Sequence, residues 1–311
     1  MKCRNGGYTA GLALVVAGLT ILLFVGGPGG HWPRSLRHLW DLGHIGLFGA
    51  AALLALRTGL ERRPLPSQAG FVLGGALVLG AVTEWLQRGS DRNASLGDLQ
   101  RDVIGAALVL AFASPAVGRL PRLQRGALRA AVLLALGWQV APALLATVDE
   151  LTARHDFPVL AGFERPFEVD RWEGEAEFRV VDTPVRGGHR SLRVDLGTST
   201  YSGVSLAEFP GDWTGHRVLE FSVFNPDADA LELVCKVNDR EHQRRGYAYQ
   251  DRFNRSLTVG PGWNDFSIPL EEIRTAPVER EMDLARIATF QLFAVRLPRP
   301  RSFYLDQVQL R

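Results

Sequence analysis

The apolar positions divide the chain into two halves that follow different rules. Up to about residue 149 they come in unbroken runs, at 8–27, 40–56, 68–87, 99–117 and 127–148. Each run is about as long as a helix must be to cross a hydrocarbon core of ~30 Å. Beyond that point no run reaches spanning length, and apolar residues recur at every second position. Leu192, Val194 and Leu196 alternate in this way, as do Leu219, Phe221 and Val223, then Leu231, Leu233, Cys235 and Val237. Leu257–Val259 and Phe266–Ile268 flank a turn-rich stretch from Gly260 to Asn264, and Ile287–Val295 and Phe303–Leu310 complete the set. Period two marks strands with one buried face. The pattern therefore predicts an α-helical membrane domain of about five transmembrane helices, followed by an all-β sandwich of short strands. The expected limits are 1–149 for the helices, 150–162 for a linker and 163–311 for the sandwich. A linker this short would keep the sandwich close to the membrane.

Charge sharpens the division. Residues 1–149 carry 14 Lys and Arg against 7 Asp and Glu, whereas residues 150–311 carry 21 against 26. The formal net charge over the 311 residues is only +2, which gives no case for nucleic acid as a partner. Both halves hold too much apolar material for a disordered chain. Cys3 and Cys235 fall in different halves, which excludes a disulfide scaffold and a cysteine-built zinc cluster. Cys235 shares its face with core positions and reads as a buried free thiol. Lys2 and Lys236 are the only lysines, so arginine supplies nearly all the positive charge.

The first run follows Lys2 and Arg4 and ends in Gly-Gly-Pro-Gly-Gly without a small-x-small cleavage site. It reads as an uncleaved first span rather than a signal peptide. With a cytoplasmic N-terminus, the inner loops hold Lys2, Arg4, Arg57, Arg62, Arg63, Arg119, Arg122, Arg125 and Arg129, nine cations against five outside. The bias sets the N-terminus inside, and five spans then place the second half outside the cell membrane.

This topology gathers polar residues at the outer leaflet. His44 lies about one turn into the second span, and Glu84 and Gln87 sit three apart near the end of the third. Arg92, Ser95, Asp98 and Asp102 follow in the next loop and the start of the fourth span. Ionisable groups in spans are costly and mark function by default. Each also has a plain structural reading. Ser95-x-x-Asp98 fits a capping box, and the two aspartates fit a helix N-terminus. Glu84 has Arg88 and Arg92 as partners in reach, and His44 a neighbouring helix. Together they read better as one shared site, able to support acid–base chemistry or hold a divalent cation.

The order His44, Glu84-x-x-Gln87, Arg92-x-x-Ser95-x-x-Asp98 and Gly105 resembles the VanZ-like family over roughly residues 35–118. The chain departs from that pattern at Asp102, where the family usually has Asn. The family is named for a protein linked to glycopeptide-antibiotic resistance. The resemblance implies a small integral membrane protein of the bacterial cell envelope and brings no established reaction.

The second half resembles jelly-roll carbohydrate-binding modules of the galactose-binding-like kind. Phe163-Glu164, Gly188-x-Arg190-Ser-Leu192, Asp212-Trp213, Leu219-x-Phe221-x-Val223-x-Asn225-Pro226 and the closing Phe303-Tyr304-Leu305-Asp306 carry it. It implies a jelly-roll topology and a structural Ca²⁺ on Glu164 or Glu168 with Asp306. The alternative is that these carboxylates cap loops. A sugar site needs aromatic faces and polar groups that fix hydroxyls. Tyr247 and Tyr249, two apart and so on one face of a strand, offer both with Arg252 and Asn254, and Tyr201 and Gln291 could join them. The same rings could equally be strand packing, and Trp213 and Trp263 read as core. The favoured expectation is a membrane protein that binds or handles a cell-wall or surface polysaccharide, peptidoglycan included, through the sandwich. A membrane enzyme acting on a lipid-linked glycan, and a protein-binding scaffold, are the alternatives.

Overall fold

The computed structural model describes residues 32–87 and 96–311, with scattered residues between 10 and 21. The side chains of residues 84, 86 and 87 are outside that description, as are Arg92, Ser95 and most of the first apolar run. Two compact units are present, Met1–Ala146 and Thr147–Arg311.

In the first unit the helices are α1 Arg34–Asp41, α2 Gly43–Ala55, α3 Leu65–Gln87, α4 Leu96–Ala113, α5 Pro115–Gly118 and α6 Arg122–Asp156. The last runs across the division into the second unit. A π-helical turn, Leu56–Leu60, extends α2. Among the described residues, three segments are long and apolar enough to cross a membrane: Arg34–Leu60, Leu65–Thr83 and Arg122–Asp156. They contain the expected runs 40–56 and 127–148, and most of 68–87. The fourth expected run is the shorter α4, whose first two turns carry Asp98, Arg101 and Asp102. Apolar side chains face outwards, with Trp138 79% exposed and Phe71 70%, while His44, Gln68, Asp102 and Ser114 are buried. Apolar surface turned out and polar groups turned in is the arrangement lipid favours. Gln68 shows why the polar groups go inside. Its amide donates to the Leu60 and Arg63 carbonyls at 3.0 Å and accepts from Ser114 Oγ at 2.5 Å, so it satisfies the helix end before it.

The second unit opens on the last turns of α6, which are helical through Asp156, and enters strand β1 Val159–Ala161. Helix and strand thus occupy the stretch 150–162, where a linker was expected. Asp149 accepts from Arg171 at 2.6 Å, both nearly fully buried, and this pair fixes the entry to the sandwich. The further strands are β2 Trp172–Glu173, β3 Glu177–Val181, β4 Ser191–Leu196, β5 Tyr201–Leu206, β6 Val218–Asn225, β7 Leu231–Asp239, β8 Phe253–Val259, β9 Gly262–Pro269, β10 Ile287–Val295 and β11 Arg301–Leu310. One antiparallel sheet runs β3-β4-β11-β6-β9 with β1 added at β11, and the other runs β2-β5-β10-β7-β8. The alternation of Leu192, Val194, Leu219, Phe221, Val223, Phe303 and Leu305 on the first sheet meets that of Leu233, Cys235, Val237, Phe290 and Leu292 on the second in one core. Phe221 and Phe290 meet across it at 5.2 Å between ring centroids. Cys235 is a free, buried cysteine. Trp213 belongs to the core, but Trp263 does not: strand parity turns it to the outer face of β9, beside Phe224.

Candidate functional site

Strand parity decides what the five-stranded sheet shows to the outside. With Val204 and Leu206, Leu233 and Cys235, and Phe290 and Leu292 in the core, Tyr201 and Ser205, Lys236, and Gln291 and Phe293 must point outwards. The register then lines them up. Gln291 is the cross-strand partner of Ser205 on β5 and of Lys236 on β7, and Lys236 is the partner of Asn254 on β8. From Ser205 to Asn254 this polar row crosses four strands, about 14 Å at the usual strand spacing, and on β2 it continues to the exposed Glu173, the cross-strand partner of Ser205. Gln291 donates to Ser205 Oγ at 3.1 Å. A cavity of about 330 Å³ opens over the row. Tyr201, 60% exposed, stands at its wall and packs edge-on to Phe293 at 5.9 Å. Arg252 closes another side, with its guanidinium 4.9 Å from the centre of the exposed Tyr249 ring.

The two cations of this face are unusual in their company. Among the described residues neither Lys236 nor Arg252 makes an ion pair, and Arg252 Nε is buried without a hydrogen-bond partner. Burial, and then the Arg252 charge, bring the Lys236 ammonium down to about 8. Burial lowers Arg252 too, with the Tyr249 and Tyr201 hydroxyls acting against it. Asn254 Oδ1 is likewise buried and unbonded.

Of the sugar-site residues expected from the sequence, Tyr201, Arg252 and Gln291 therefore line one cavity, and Asn254 lies in its row. Tyr247 and Tyr249 are a correction: they do not share a strand face. The chain leaves the sheet after β7, forms a helical turn Glu241–Arg244, passes Tyr247 at φ 59° and takes a 3₁₀ turn Tyr249–Asp251. A buried polar network holds this detour. Arg280 donates to Asp251 at 2.6 Å and to Asp239 at 2.8 Å, and His242 Nδ1 lies 3.2 Å from Asp251. The Arg280 hydrogen bonds hold the Asp251 carboxyl below its ordinary value, while burial lowers His242. Tyr247 packs edge-on to His242 at 5.6 Å, away from the cavity lining. Lys236, Ser205 and Phe293 were missed as site residues. The alternation of β7, which sends Lys236 outwards from a run of core positions, is the signal that finds the first.

Glu164, Glu168 and Asp306, the carboxylates named for a structural Ca²⁺, each accept backbone amides, as the loop-capping alternative has it. Glu168 accepts from the Phe163 and Gly162 amides at 2.6 and 3.1 Å, and Glu164 from the His189 amide at 2.7 Å. Asp306 accepts from the Arg186 and Gly187 amides at 2.7 and 3.1 Å. Carboxylates aimed at N–H donors hold loops. Burial, the largest cause, leaves Asp306 above its ordinary value. Among the described residues no three His, Cys, Asp or Glu side chains come together as metal ligands.

In the helical unit, His44 Nδ1 lies 2.9 Å from Asp102 Oδ1, with both residues buried. The contact joins α2 to α4. It depends on close helix approach: a Cβ at Gly105 would stand 2.3 Å from the Ile45 carbonyl oxygen, and one at Gly80 would stand 2.4 Å from Asp102 Oδ2. Asp98 pairs with Arg101, which also lies 3.9 Å from Asp41. The backbone of Glu84 and Gln87 lies in the last turn of α3, and their side chains, with Arg92 and Ser95, lie outside the described residues.

No family model matches the sequence, and no curated protein matches it. Several solved structures are similar to part of the chain. A family 11 carbohydrate-binding module from Clostridium thermocellum, in complex with a β-1,3-1,4-mixed-linked tetrasaccharide, aligns with 17% identity over 49% of this chain and 93% of that one, with a TM-score of 0.38. An exo-β-agarase aligns with 14% identity over 49% of this chain and 25% of that one, with a TM-score of 0.38. A family 30 carbohydrate-binding module from Clostridium thermocellum aligns with 17% identity over 44% and 86%, with a TM-score of 0.32.

Proposed function

We propose that this chain is a multi-span membrane protein of the cell envelope that binds a polysaccharide on the open face of its five-stranded sheet. The carrying observation is the cavity over the Ser205, Gln291, Lys236 and Asn254 row, walled by the exposed Tyr201 ring. A polar floor of aligned donors and acceptors suits a chain of hydroxyls, and an exposed aromatic ring suits the apolar face of a sugar. In this reading the sandwich has a jelly-roll topology. Consecutive strands from β4 to β7 and from β8 to β11 alternate between sheets, which supports it. The membrane unit has five spans with the N-terminus inside, as the loop cations favour, and residues 35–118 are VanZ-like. The test is binding of the full chain, in detergent micelles, to a panel of immobilised polysaccharides and peptidoglycan. We expect selective retention that falls at least about tenfold in Tyr201→Ala, a loss of ~1.4 kcal/mol. Retention unchanged in that variant would remove this face from the function.

The contact between His44 and Asp102 favours a second reading, in which the membrane unit acts chemically on a lipid-linked glycan with His44 as an acid–base group positioned by Asp102. Asp102→Asn would then abolish turnover while leaving polysaccharide retention intact.

A further inference from the structure

We infer that the open face of the five-stranded sheet selects anionic polysaccharides, those whose sugars carry carboxylate or sulfate groups, over neutral ones. The inference rests on the glycan-binding reading and names its substrate class. Lys236 and Arg252 both line the cavity, and among the described residues no carboxylate pairs with either. Glu175, the one acid in the lining, is exposed and makes no ion pair with them. Elsewhere in the same unit buried and half-buried arginines are spent: Arg171 on Asp149, and Arg280 on Asp239 and Asp251. Tyr249 steadies the Arg252 guanidinium through its ring face, a contact that uses none of its N–H donors.

The energetics favour an acid over a neutral sugar. Covering this face removes water from two cations, and a neutral ligand returns no charge for that loss. A carboxylate or sulfate returns both charge and acceptor oxygens, and its bonds strengthen as water leaves. Burial is the largest cause that lowers both Lys236 and Arg252, and no carboxylate stands among the groups that act against it. General stickiness toward polyanions is not the source, because residues 150–311 carry 21 basic against 26 acidic side chains. Attraction must come from the local pair.

The experiment uses the full chain in detergent micelles and three matched pairs: polygalacturonate and its methyl ester, dextran sulfate and dextran, and carboxymethylcellulose and hydroxyethylcellulose. The expected result is that in at least one pair the anionic member binds about tenfold or more tighter. That preference falls as salt rises, since exposed charges are screened. It disappears in the Lys236→Gln/Arg252→Gln double variant, persists in Arg252→Lys, and is untouched by Arg244→Gln, a control at an exposed cation outside the cavity. Neutral members binding as tightly as their anionic partners would overturn the charge selection and leave the glycan-binding reading standing. Anionic preference surviving in a folded double variant would also overturn it, since the charge read would lie elsewhere. No binding to any of the six would overturn the inference. If the wider polysaccharide and peptidoglycan panel also failed, the reading beneath it would fall too.

Discussion

On the outer face of the six-stranded sheet, Asp195 accepts from Arg193 at 2.8 Å, Arg179 at 3.1 Å and Ser302 at 2.6 Å. Asp265 accepts from Arg186 at 2.6 Å and from Ser222 at 2.8 Å. Tyr304, Phe224 and Trp263 follow one another across three strands of the same face. The five-stranded sheet also shows arginine, lysine and aromatic rings to the outside, but there, among the described residues, Lys236 and Arg252 pair with no carboxylate, and Gln291 donates to Ser205. The aromatic rings do not separate the two faces, since the first has the longer aromatic row. The state of the polar groups does. A face whose cations are already bonded has little to offer a ligand, whereas a face with desolvated and unmatched cations gains from one. Such a face lowers the stability of the free protein, the usual cost of a binding site.

Removing a cation should therefore have opposite signs in different parts of the sandwich. The largest effect is expected inside the loop network. Arg280→Gln strands the Asp239 and Asp251 carboxylates, and the sandwich should lose about 3–5 kcal/mol, read from the urea midpoint of its unfolding transition. A loss below about 1 kcal/mol would mean that the network does not hold the loop. Lys236→Met should instead raise stability, by about 0.5–1 kcal/mol at pH 7, because an unmatched desolvated charge is replaced by an apolar group of similar length. A destabilised Lys236→Met protein would show that the ammonium has a partner and would blur the contrast between the faces.

The pH dependence sharpens the same point. Lys236 sits at about 8 in the folded protein against an ordinary 10.5, so between those values the unfolded chain still holds a proton that the folded one has released. Stability contributed by this group therefore rises with pH across that window. The wild type should gain stability relative to Lys236→Met as pH rises from 8 to 10.5. Arg193→Gln, on the satisfied face, should cost under about 1 kcal/mol, as a part-exposed pair does, and leave polysaccharide retention unchanged. Smallest of all is the expected response of Cys235. Burial pushes its thiol up, and iodoacetamide should not label it until the sandwich unfolds, as peptide mass spectrometry would show.

The alternation of apolar residues was enough to find β4, to read β10 with its observed limits and to place Cys235 in the core. It did not reveal β5, whose inward positions include Ser202 beside Val204 and Leu206, nor β2, which is only two residues long. In the helical unit, folding the spans back and forth at matched depth brought His44 and Asp102 to one level, and they meet. Tyr247 and Tyr249 were misplaced because the strand they seemed to share is replaced by a detour that Arg280, nearly thirty residues further on than Asp251, holds in place. Local periodicity carries no trace of such a partner. Lys236 was within reach of parity, yet its meaning depends on which carboxylates lie nearby, and that is settled only when the sheet is assembled.

Lys236 also gives the most direct test, because Lys2 is the only other lysine and an amine near 8 is reactive at mild pH. The full chain would be treated with an acetylating reagent at pH 8, with and without saturating amounts of the polysaccharide that it retains best, and labelling of the Lys236 peptide followed by mass spectrometry. Binding on the open face of the five-stranded sheet predicts ready labelling of the free protein and strong protection in the complex, with Lys2 labelled alike in both. Equal labelling of Lys236 in the free and saturated protein would place the polysaccharide elsewhere and contradict the account.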